Sequence, residues 1–295
     1  LPSGTRDRTV LVVPELPPKR RQELRFRNVS WIEYRSGVVH LRAPHLAIDL
    51  PEDTHAERSA PNSLPSLSGK AGIVVEALIE RARREELVSQ PDVAELSGST
   101  QAWTSRVFAA LVEAEALEVV GSGPSKKWRP RTEELMRLWK ADGGPSPTVA
   151  PLYLWTRSSE ELIRSMVRLQ DAADSYAIGG GAAADLHEPT LSSLPVVNAW
   201  IPATTPPAKV AAALEAELVD SGANLILWQA PGDPALRLAG ALGGWRADAP
   251  GDLAALRVVT PARAAVEALH GTGRSPEVGE KLRRRIAEEA TNAHG

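Results

Sequence analysis

The chain has 295 residues, of which 43% are hydrophobic and 24% charged, values typical of a folded protein of two or three domains. It contains no cysteine, which excludes disulfides, thiolate metal sites and a cysteine nucleophile. The formal net charge is −3, so a polyanion would have to be bound by a local basic patch. The sequence has no visible signal peptide and no apolar run of about 18 residues, so we expect a cytoplasmic protein without membrane contact.

The first segment, residues 1–58, is predicted to form a small β-α-β-β-β unit. The predicted elements are a strand at 9–13, a helix at 19–27, and strands at 31–34, 38–42 and 46–50. Nucleases of the restriction type place acidic residues and a lysine on such strands. Here Glu33 is followed by no lysine-bearing strand, and Asp49 stands alone. We therefore favour a degenerate nuclease-like unit or an interaction platform over an active nuclease.

Residues 69–141 are predicted to form a winged helix-turn-helix domain, after a linker at 55–68 that is rich in Ser and Pro. Gly98 and Ser99 interrupt a short helix, and Ser99 is a suitable cap for the next one. In chain order, the predicted elements are helices at 69–86, 89–97 and 100–115, strands at 117–120 and 126–130, and a helix at 132–140.

This order of helix, tight turn, helix and basic hairpin is typical of modules that bind double-stranded DNA. The first turns of a recognition helix face the base edges, so Gln101, Thr104 and Arg106 are candidate base contacts. Trp103 is interpreted as either a core residue or a base-stacking side chain. The candidate phosphate contacts are the polar residues of the turn and the cations of the hairpin: Ser99, Thr100, Lys126, Lys127, Arg129 and Arg131. The alternative is a helical hairpin with a solvated loop.

Residues 152–295 are predicted to form an α/β or α+β domain, because strands alternate with helices. The region 142–151, with its glycines and prolines, is interpreted as a domain boundary. The predicted elements are helices at 159–173, 209–220, 261–270 and 277–290, strands at 195–202, 224–228 and 257–259, and a short strand that enters a glycine triplet and a helix within 175–185.

The glycine triplet at 179–181 invites comparison with nucleotidyltransferases, which have Gly-Gly at a helix start and two metal-binding acids on the next strand. Here Asn198 and Trp200 occupy the positions of those acids. We therefore expect an inactive, metal-free relative with no catalytic residue and no cofactor. The simpler alternative is that the glycines let the helix pack closely on the sheet.

Three stretches carry a family resemblance. Residues 99–139 are similar to the DNA-binding domain of bacterial AbiEi-type antitoxins of type IV toxin–antitoxin systems. SYAIGGGAAADLH at 175–187 resembles the opening of that family's nucleotidyltransferase-like domain, and 256–286 resembles its closing segment. The first segment is similar to an accessory, nuclease-like part of larger members. The common family form begins with the winged helix, whereas this chain places another unit before it.

The resemblance implies a transcriptional repressor, often of its own operon. We therefore predict an α+β protein of three parts that binds an operator in double-stranded DNA and is not an enzyme. A homodimer is the usual expectation for a winged-helix regulator. The alternatives are an antitoxin that neutralises a cognate toxin by protein contact, a regulator gated by a ligand, and an active nuclease or nucleotidyltransferase.

Overall fold

The computed structural model describes residues 10–14, 16–27, 29–33, 39–43, 46–50, 64–142, 147–173, 175–191 and 196–292. The chain divides into two compact units, Leu1–Ser63 and Leu64–Gly295. The described residues combine helices with β-sheets in both units, which confirms the predicted mixture of α and β structure. Within this part of the chain, no helix is long and apolar enough to cross a bilayer. The predicted linker lies largely outside the described residues.

The first unit has the predicted order of elements. These are β1 (Val10–Val13), α1 (Pro18–Phe26), β2 (Ser30–Glu33), β3 (Val39–Ala43) and β4 (Leu46–Leu50). They form one sheet in the order β1-β2-β3-β4, in which β1 and β2 are parallel and the other pairs are antiparallel. The parallel pair is joined through α1, as a β-α-β crossover requires.

Glu33 ties this unit together from inside. Its side chain is fully buried, and both of its oxygens accept hydrogen bonds from the Arg21 guanidinium, each at 2.8 Å. The Leu16 backbone N–H and the Trp31 indole N–H also donate to this carboxylate, each at 3.0 Å. A buried carboxylate with this many donors is compensated for the loss of water. Glu33 therefore fixes α1 on β2.

The second unit begins with a helical part. Its elements are α2 (Lys70–Ala82), α3 (Gln90–Ser97), α4 (Gln101–Glu113), β5 (Leu117–Val120), β6 (Lys127–Pro130) and α5 (Thr132–Ala141). Strands β5 and β6 pair as an antiparallel hairpin, from Leu117 opposite Pro130 to Val120 opposite Lys127. Helix α2 is buried from Ala71 through Glu80, because it packs against other elements on all sides. It ends earlier than the sequence predicts.

A seven-stranded sheet follows in the same unit. The remaining elements are β7 (Thr148–Tyr153), α6 (Ser159–Ser165), α7 (Leu169–Ala172), β8 (Ala177–Gly179), α8 (Gly180–His187), β9 (Val197–Trp200), α9 (Pro207–Leu214), β10 (Glu217–Leu218), β11 (Leu225–Gln229), β12 (Gly240–Ala241), α10 (Leu242–Trp245), β13 (Arg257–Val258), α11 (Pro261–Leu269) and α12 (Ser275–Asn292). The strand order is β10-β7-β11-β9-β8-β13-β12. Pairs β9–β11 and β8–β13 are parallel, and the other pairs are antiparallel.

Strand β7 falls partly in the region that the sequence predicts to be a boundary. Pro151 lies within the strand, opposite Ile226 of β11. Its carbonyl accepts a hydrogen bond from Val219 on the other side, at 3.1 Å, just beyond the end of the two-residue strand β10. The missing proline N–H therefore lies where the neighbouring strand has ended, a position in which a sheet tolerates proline. A second difference concerns the helix that the sequence predicts at 209–220. In the structure, α9 ends at Leu214 and strand β10 follows it.

A buried ion pair joins the helical part to the sheet part. The Arg263 guanidinium of α11 donates to Glu76 Oε2 of α2 through Nε at 2.9 Å and through Nη2 at 2.5 Å. The Thr260 hydroxyl donates to the other oxygen of Glu76 at 2.7 Å. Arg263 also lies over the Trp139 ring of α5, at 5.2 Å from its centroid. The parts predicted as separate domains at 69–141 and 152–295 thus belong to one compact unit.

A second carboxylate, one turn along α2, extends this junction. Glu80 accepts the Ala262 backbone N–H at 3.0 Å and pairs with Arg83 at 2.6 Å. Arg83 in turn pairs with Glu289 of α12. Burial raises the pKa of Glu80, and the Arg83 charge partly opposes that effect. Glu76 is therefore held by Arg263 and Thr260, and Glu80 is held by the Ala262 N–H and by Arg83.

Helix α8 is anchored at its end by His187. Its Nε2 lies 2.8 Å from the Val259 carbonyl oxygen, and its side chain is buried. Burial lowers the pKa of this imidazole to about 4, and the nearby charges of Arg83, Arg285 and Arg246 act in the same direction. His187 is therefore neutral near pH 7.

We predict that Arg263→Met lowers the free energy of unfolding by about 3 kcal/mol or more, since it leaves the Glu76 charge buried without its partner. The control is Arg137→Met, which removes an exposed pair with Glu134 and should cost less than about 1 kcal/mol. Urea denaturation of the full chain measures both. The double variant Glu76→Met, Arg263→Met should recover part of the loss. A single-variant cost no larger than the control would contradict this account of the junction.

We also predict an acid-dependent contribution from His187. In the unfolded chain its imidazole has the ordinary pKa of 6.5, whereas in the folded protein it binds a proton only below about 4. The native state is therefore favoured above pH 6.5, and this contribution, up to about 3 kcal/mol, is lost as the pH falls towards 4. His187→Gln should flatten the pH profile of stability between these values, whereas the exposed His270→Gln should not. Parallel profiles of His187→Gln and the wild type would count against it.

Candidate nucleic-acid interface

The two helices α3 and α4 are joined by a tight turn. Helix α3 ends at Gly98, whose φ of 63° is left-handed, and the Ser99 N–H then returns to the Ala94 carbonyl at 2.9 Å. The next helix is capped by Thr100, whose hydroxyl accepts the Trp103 N–H at 3.3 Å. The predicted capping role of Ser99 is therefore wrong by one residue. The cause is that Ser99 is used in closing the preceding helix.

The first turns of α4 present a polar surface. Gln101, Ser105 and Arg106 are all exposed on this helix. Gln90, at the start of α3, donates a hydrogen bond from its amide to the Gln101 carbonyl at 3.3 Å. The N-terminal ends of α3 and α4 therefore lie side by side, and the Gln101 side chain is exposed to solvent at this place.

Thr104 does not belong to this surface, so its prediction as a base contact is wrong. Its side chain is fully buried, and its hydroxyl donates to the Thr100 carbonyl at 3.1 Å. It lies on the same face of α4 as the buried residues Val107, Phe108 and Leu111. A hydroxyl on that inner face cannot reach a ligand in solvent.

Trp103 has an intermediate position. Its ring is half-buried and packs against the core, while its indole N–H is buried without a hydrogen-bond acceptor among the described residues. Arg106 lies over the ring, at 5.8 Å from its centroid. This packing favours the core interpretation of Trp103, with Arg106 held at the surface above it.

The hairpin β5–β6 is attached to the helices by Trp128. This ring is buried and meets Phe108 of α4 edge to face, with centroids 5.2 Å apart. Lys126, just before β6, lies over the same ring, with Nζ 4.8 Å from the Trp128 ring centroid. Lys126 and Lys127 are exposed, and neither forms an ion pair with the described residues. Both ammonium groups are therefore available to an anion.

The other two predicted cations of the hairpin differ from each other. Arg129 pairs with Glu86 at 2.9 Å and with Glu118 at 3.3 Å, and these hydrogen bonds raise its pKa. It would have to leave two carboxylates before it could bind a phosphate. Arg131 is exposed at the end of β6 and makes no ion pair within the described part of the chain.

Arg237 is a cation that the sequence did not single out. It lies on the segment after β11, and a Cβ placed on Gly98 would overlap its guanidinium. The same place holds Lys70, at the start of α2, and both side chains line a cavity of about 530 Å³ together with Ser99 and Thr100. Arg237 is exposed and has no ion pair to a described residue. The sheet part of the unit therefore brings a positive charge to the turn between α3 and α4.

The glycine triplet lies at the junction of β8 and α8, as predicted. Gly180 has a φ of 60°, and its N–H donates to Glu267 Oε2 at 2.8 Å. A Cβ on Gly179 would crowd both Glu267 and Trp200, and one on Gly181 would overlap the Ser275 side chain. Close packing around α8 therefore requires these glycines.

Strand β9 has no acidic residue at positions 198 and 200, where nucleotidyltransferases place their two metal-binding acids. Asn198 lies beside Gly180. Trp200 is buried and donates its indole N–H to Glu267 Oε1 at 3.0 Å. Within the described ranges, no group of three or more His, Asp and Glu side chains is arranged to hold a metal ion.

Comparisons with protein-family models, with curated proteins and with solved structures found no match to this chain. The geometry of the interface and the chemistry of its residues therefore carry the functional argument.

We predict that Gly98→Ala destabilises the protein by roughly 1–2 kcal/mol, because an alanine at positive φ is strained and its Cβ would displace Arg237. Gly244→Ala is the matched control, since Gly244 lies within α10, has no positive φ and has open space around it. The control should be neutral or slightly stabilising. Chemical denaturation compares the two, and equal effects would argue against this geometry of the turn.

Proposed function

We propose that this protein is a sequence-specific regulator that binds double-stranded DNA through a winged helix-turn-helix. In this proposal α4 is the recognition helix and the hairpin β5–β6 is the wing. The observation that carries it is the combination of an exposed polar start of α4 with lysines on the adjoining hairpin that form no ion pair to a described residue. Helix-turn-helix proteins place the first turns of such a helix in the major groove.

Gln101 and Arg106 are the proposed base contacts, with Ser105 on the same exposed surface. An amide pairs bidentately with adenine, and a guanidinium with guanine. Trp103 supports Arg106 from below through the ring contact. Since the Thr104 hydroxyl is committed to the backbone of α4, base selectivity rests on this small set.

The proposed phosphate contacts come from both sides of the turn. On the wing side they are Lys126, Lys127 and Arg131, and at the turn they are Ser99 and Thr100. Arg237 adds a charge from the sheet part, and Lys70 lies near it. Phosphate contacts fix register and supply most of the salt dependence of binding. Because the net charge is −3, this local group of cations must provide the attraction.

The sheet part is proposed to be a nucleotidyltransferase-like domain without catalytic activity, in a repressor of the AbiEi-antitoxin type that binds its own operator as a dimer. The absence of acids at Asn198 and Trp200 supports this proposal for the described strand β9. An enzyme that uses these two carboxylates to hold its metal ions loses its catalytic activity when both are replaced.

The test is selection of bound fragments from the organism's genomic DNA, with sequencing, at two salt concentrations. A short enriched motif that survives the higher salt is expected. Gln101→Ala should then relax preference at one base pair, by about 1–3 kcal/mol of discrimination. Lys127→Ala and Arg237→Ala should each weaken binding to all sequences and reduce the salt slope by about one.

The control is Lys209→Ala, an exposed lysine on α9 that is not part of the proposed interface. It should leave both affinity and salt slope unchanged. Binding that shows no sequence preference, or that responds to Lys209→Ala as strongly as to Lys127→Ala, would refute the proposed recognition surface.

A further inference from the structure

A cavity of about 740 Å³ opens beside the glycine triplet in the second unit. It lies between one face of strands β7, β11 and β9 and the segment that joins α11 to α12. This volume lies within the range of sites for small organic molecules. The DNA interface proposed above does not use it, because no residue of α3, α4 or the hairpin lines it.

One wall of the cavity is apolar and flat. Val149 and Pro151 of β7 and Ile226 and Trp228 of β11 form it. The Trp228 ring is held in place by Trp200, which it meets edge to face with centroids 5.2 Å apart. A fixed indole beside aliphatic side chains is a suitable surface for a planar ring.

One end of the cavity is polar, and it adjoins the apolar wall, because Asn198 of β9 pairs with Ile226 of β11. It is lined by the Asn198 amide and by the hydroxyls of Thr272 and Ser275, and none of these three side chains makes a hydrogen bond to another described residue. Arg274 lies in the same segment, exposed and paired with Glu277 at 3.1 Å. Helix α12 starts here with Ser275, so its N-terminal N–H groups add to the positive potential.

Glu267 lies beneath this end and is the one carboxyl group among the described lining residues. Burial raises its pKa to about 7, while Arg263 and the Gly180 N–H act in the opposite direction. The other ionisable groups of the described lining are His270 and Arg274. A pKa of about 7 leaves the Glu267 carboxyl group about half protonated at neutral pH, so it carries only part of a negative charge there.

We propose that this cavity binds a small organic anion, with a planar ring against Trp228 and an acidic group at Arg274, Thr272 and Ser275. Nucleoside monophosphates and aromatic carboxylates share this chemistry. The Asn198 amide can supply both a donor and an acceptor to the ring or its substituents.

The cavity is connected to the helical part by a continuous buried polar path. Gly180 at its edge donates to Glu267, whose Oε1 lies 3.8 Å from Arg263 Nη1. Arg263 then holds Glu76 of α2, the helix on which α3 and α4 pack. We infer that occupancy of the cavity changes the affinity for DNA, a part of the proposal that rests on the proposed function.

The experiment measures binding of two probe sets to the full chain by calorimetry, without DNA. The sets are adenosine and guanosine monophosphate, and benzoate and salicylate. Saturable binding with a Kd of about 1 mM or lower is expected for one set, and the set that binds identifies the source. Asn198→Asp, which adds a negative charge with little change of shape, and Arg274→Ala should each weaken it at least tenfold.

Arg284→Ala is the matched control, because this exposed arginine lies further along α12 and does not line the cavity. It should leave the Kd unchanged, and urea denaturation verifies that all variants are folded. The site is refuted if neither probe set binds, or if binding is insensitive to both Asn198→Asp and Arg274→Ala.

The link to DNA is tested by repeating the DNA titration with the bound probe at saturation. A change of at least fivefold in the Kd for DNA is expected, and DNA must change the Kd of the probe by the same factor. An unchanged DNA affinity would refute the link and leave the cavity site standing. If no DNA fragment binds, the proposed function fails, while probe binding is still decided by calorimetry.

Discussion

The second unit depends on the ion pair that Arg263 makes with Glu76 in its interior. Both side chains are almost completely removed from water, so each charge would be costly alone. Two hydrogen bonds from the guanidinium, one from Thr260 and the Trp139 ring satisfy the pair. Because a buried ion pair tolerates little displacement, α2 and α11 have a fixed relative position, and the helices and the sheet form one body.

The fixed position of α11 relative to α2 affects both the cavity and the proposed DNA surface. Towards the sheet, Glu267 connects the same helix to Gly180 and Trp200, so the glycine triplet and the cavity belong to the same polar path. Towards the helices, α2 supports α3 and α4, and the segment after β11 places Arg237 against Gly98. The proposed DNA surface is therefore built from both parts of the unit, and a ligand in the cavity has a physical route to it.

The sequence predicts local structure well and long-range contacts poorly. Helical spacing, the glycine at 98 and the short apolar run before a turn predict α3, α4 and β5–β6, since these signals come from neighbouring residues. The spacing of Thr104 with Val107, Phe108 and Leu111 also indicates its burial, although its hydroxyl group by itself favours an exposed position. Strand β7 is not evident from the sequence, because its proline and the preceding glycines resemble a linker. No local sequence pattern predicts the contact between Arg237 and Gly98, because these residues are far apart in the chain and only tertiary packing brings them together.

The most direct test of the central claim is amide hydrogen exchange of the full chain, with and without a double-stranded fragment obtained by genomic selection. If one rigid surface binds DNA, protection should increase together at the turn around Gly98–Thr100, in the hairpin at Lys126 and Lys127, and in the segment that holds Arg237. Protection confined to the turn and hairpin would contradict the shared surface. Protection only elsewhere in the chain would contradict the winged-helix assignment itself.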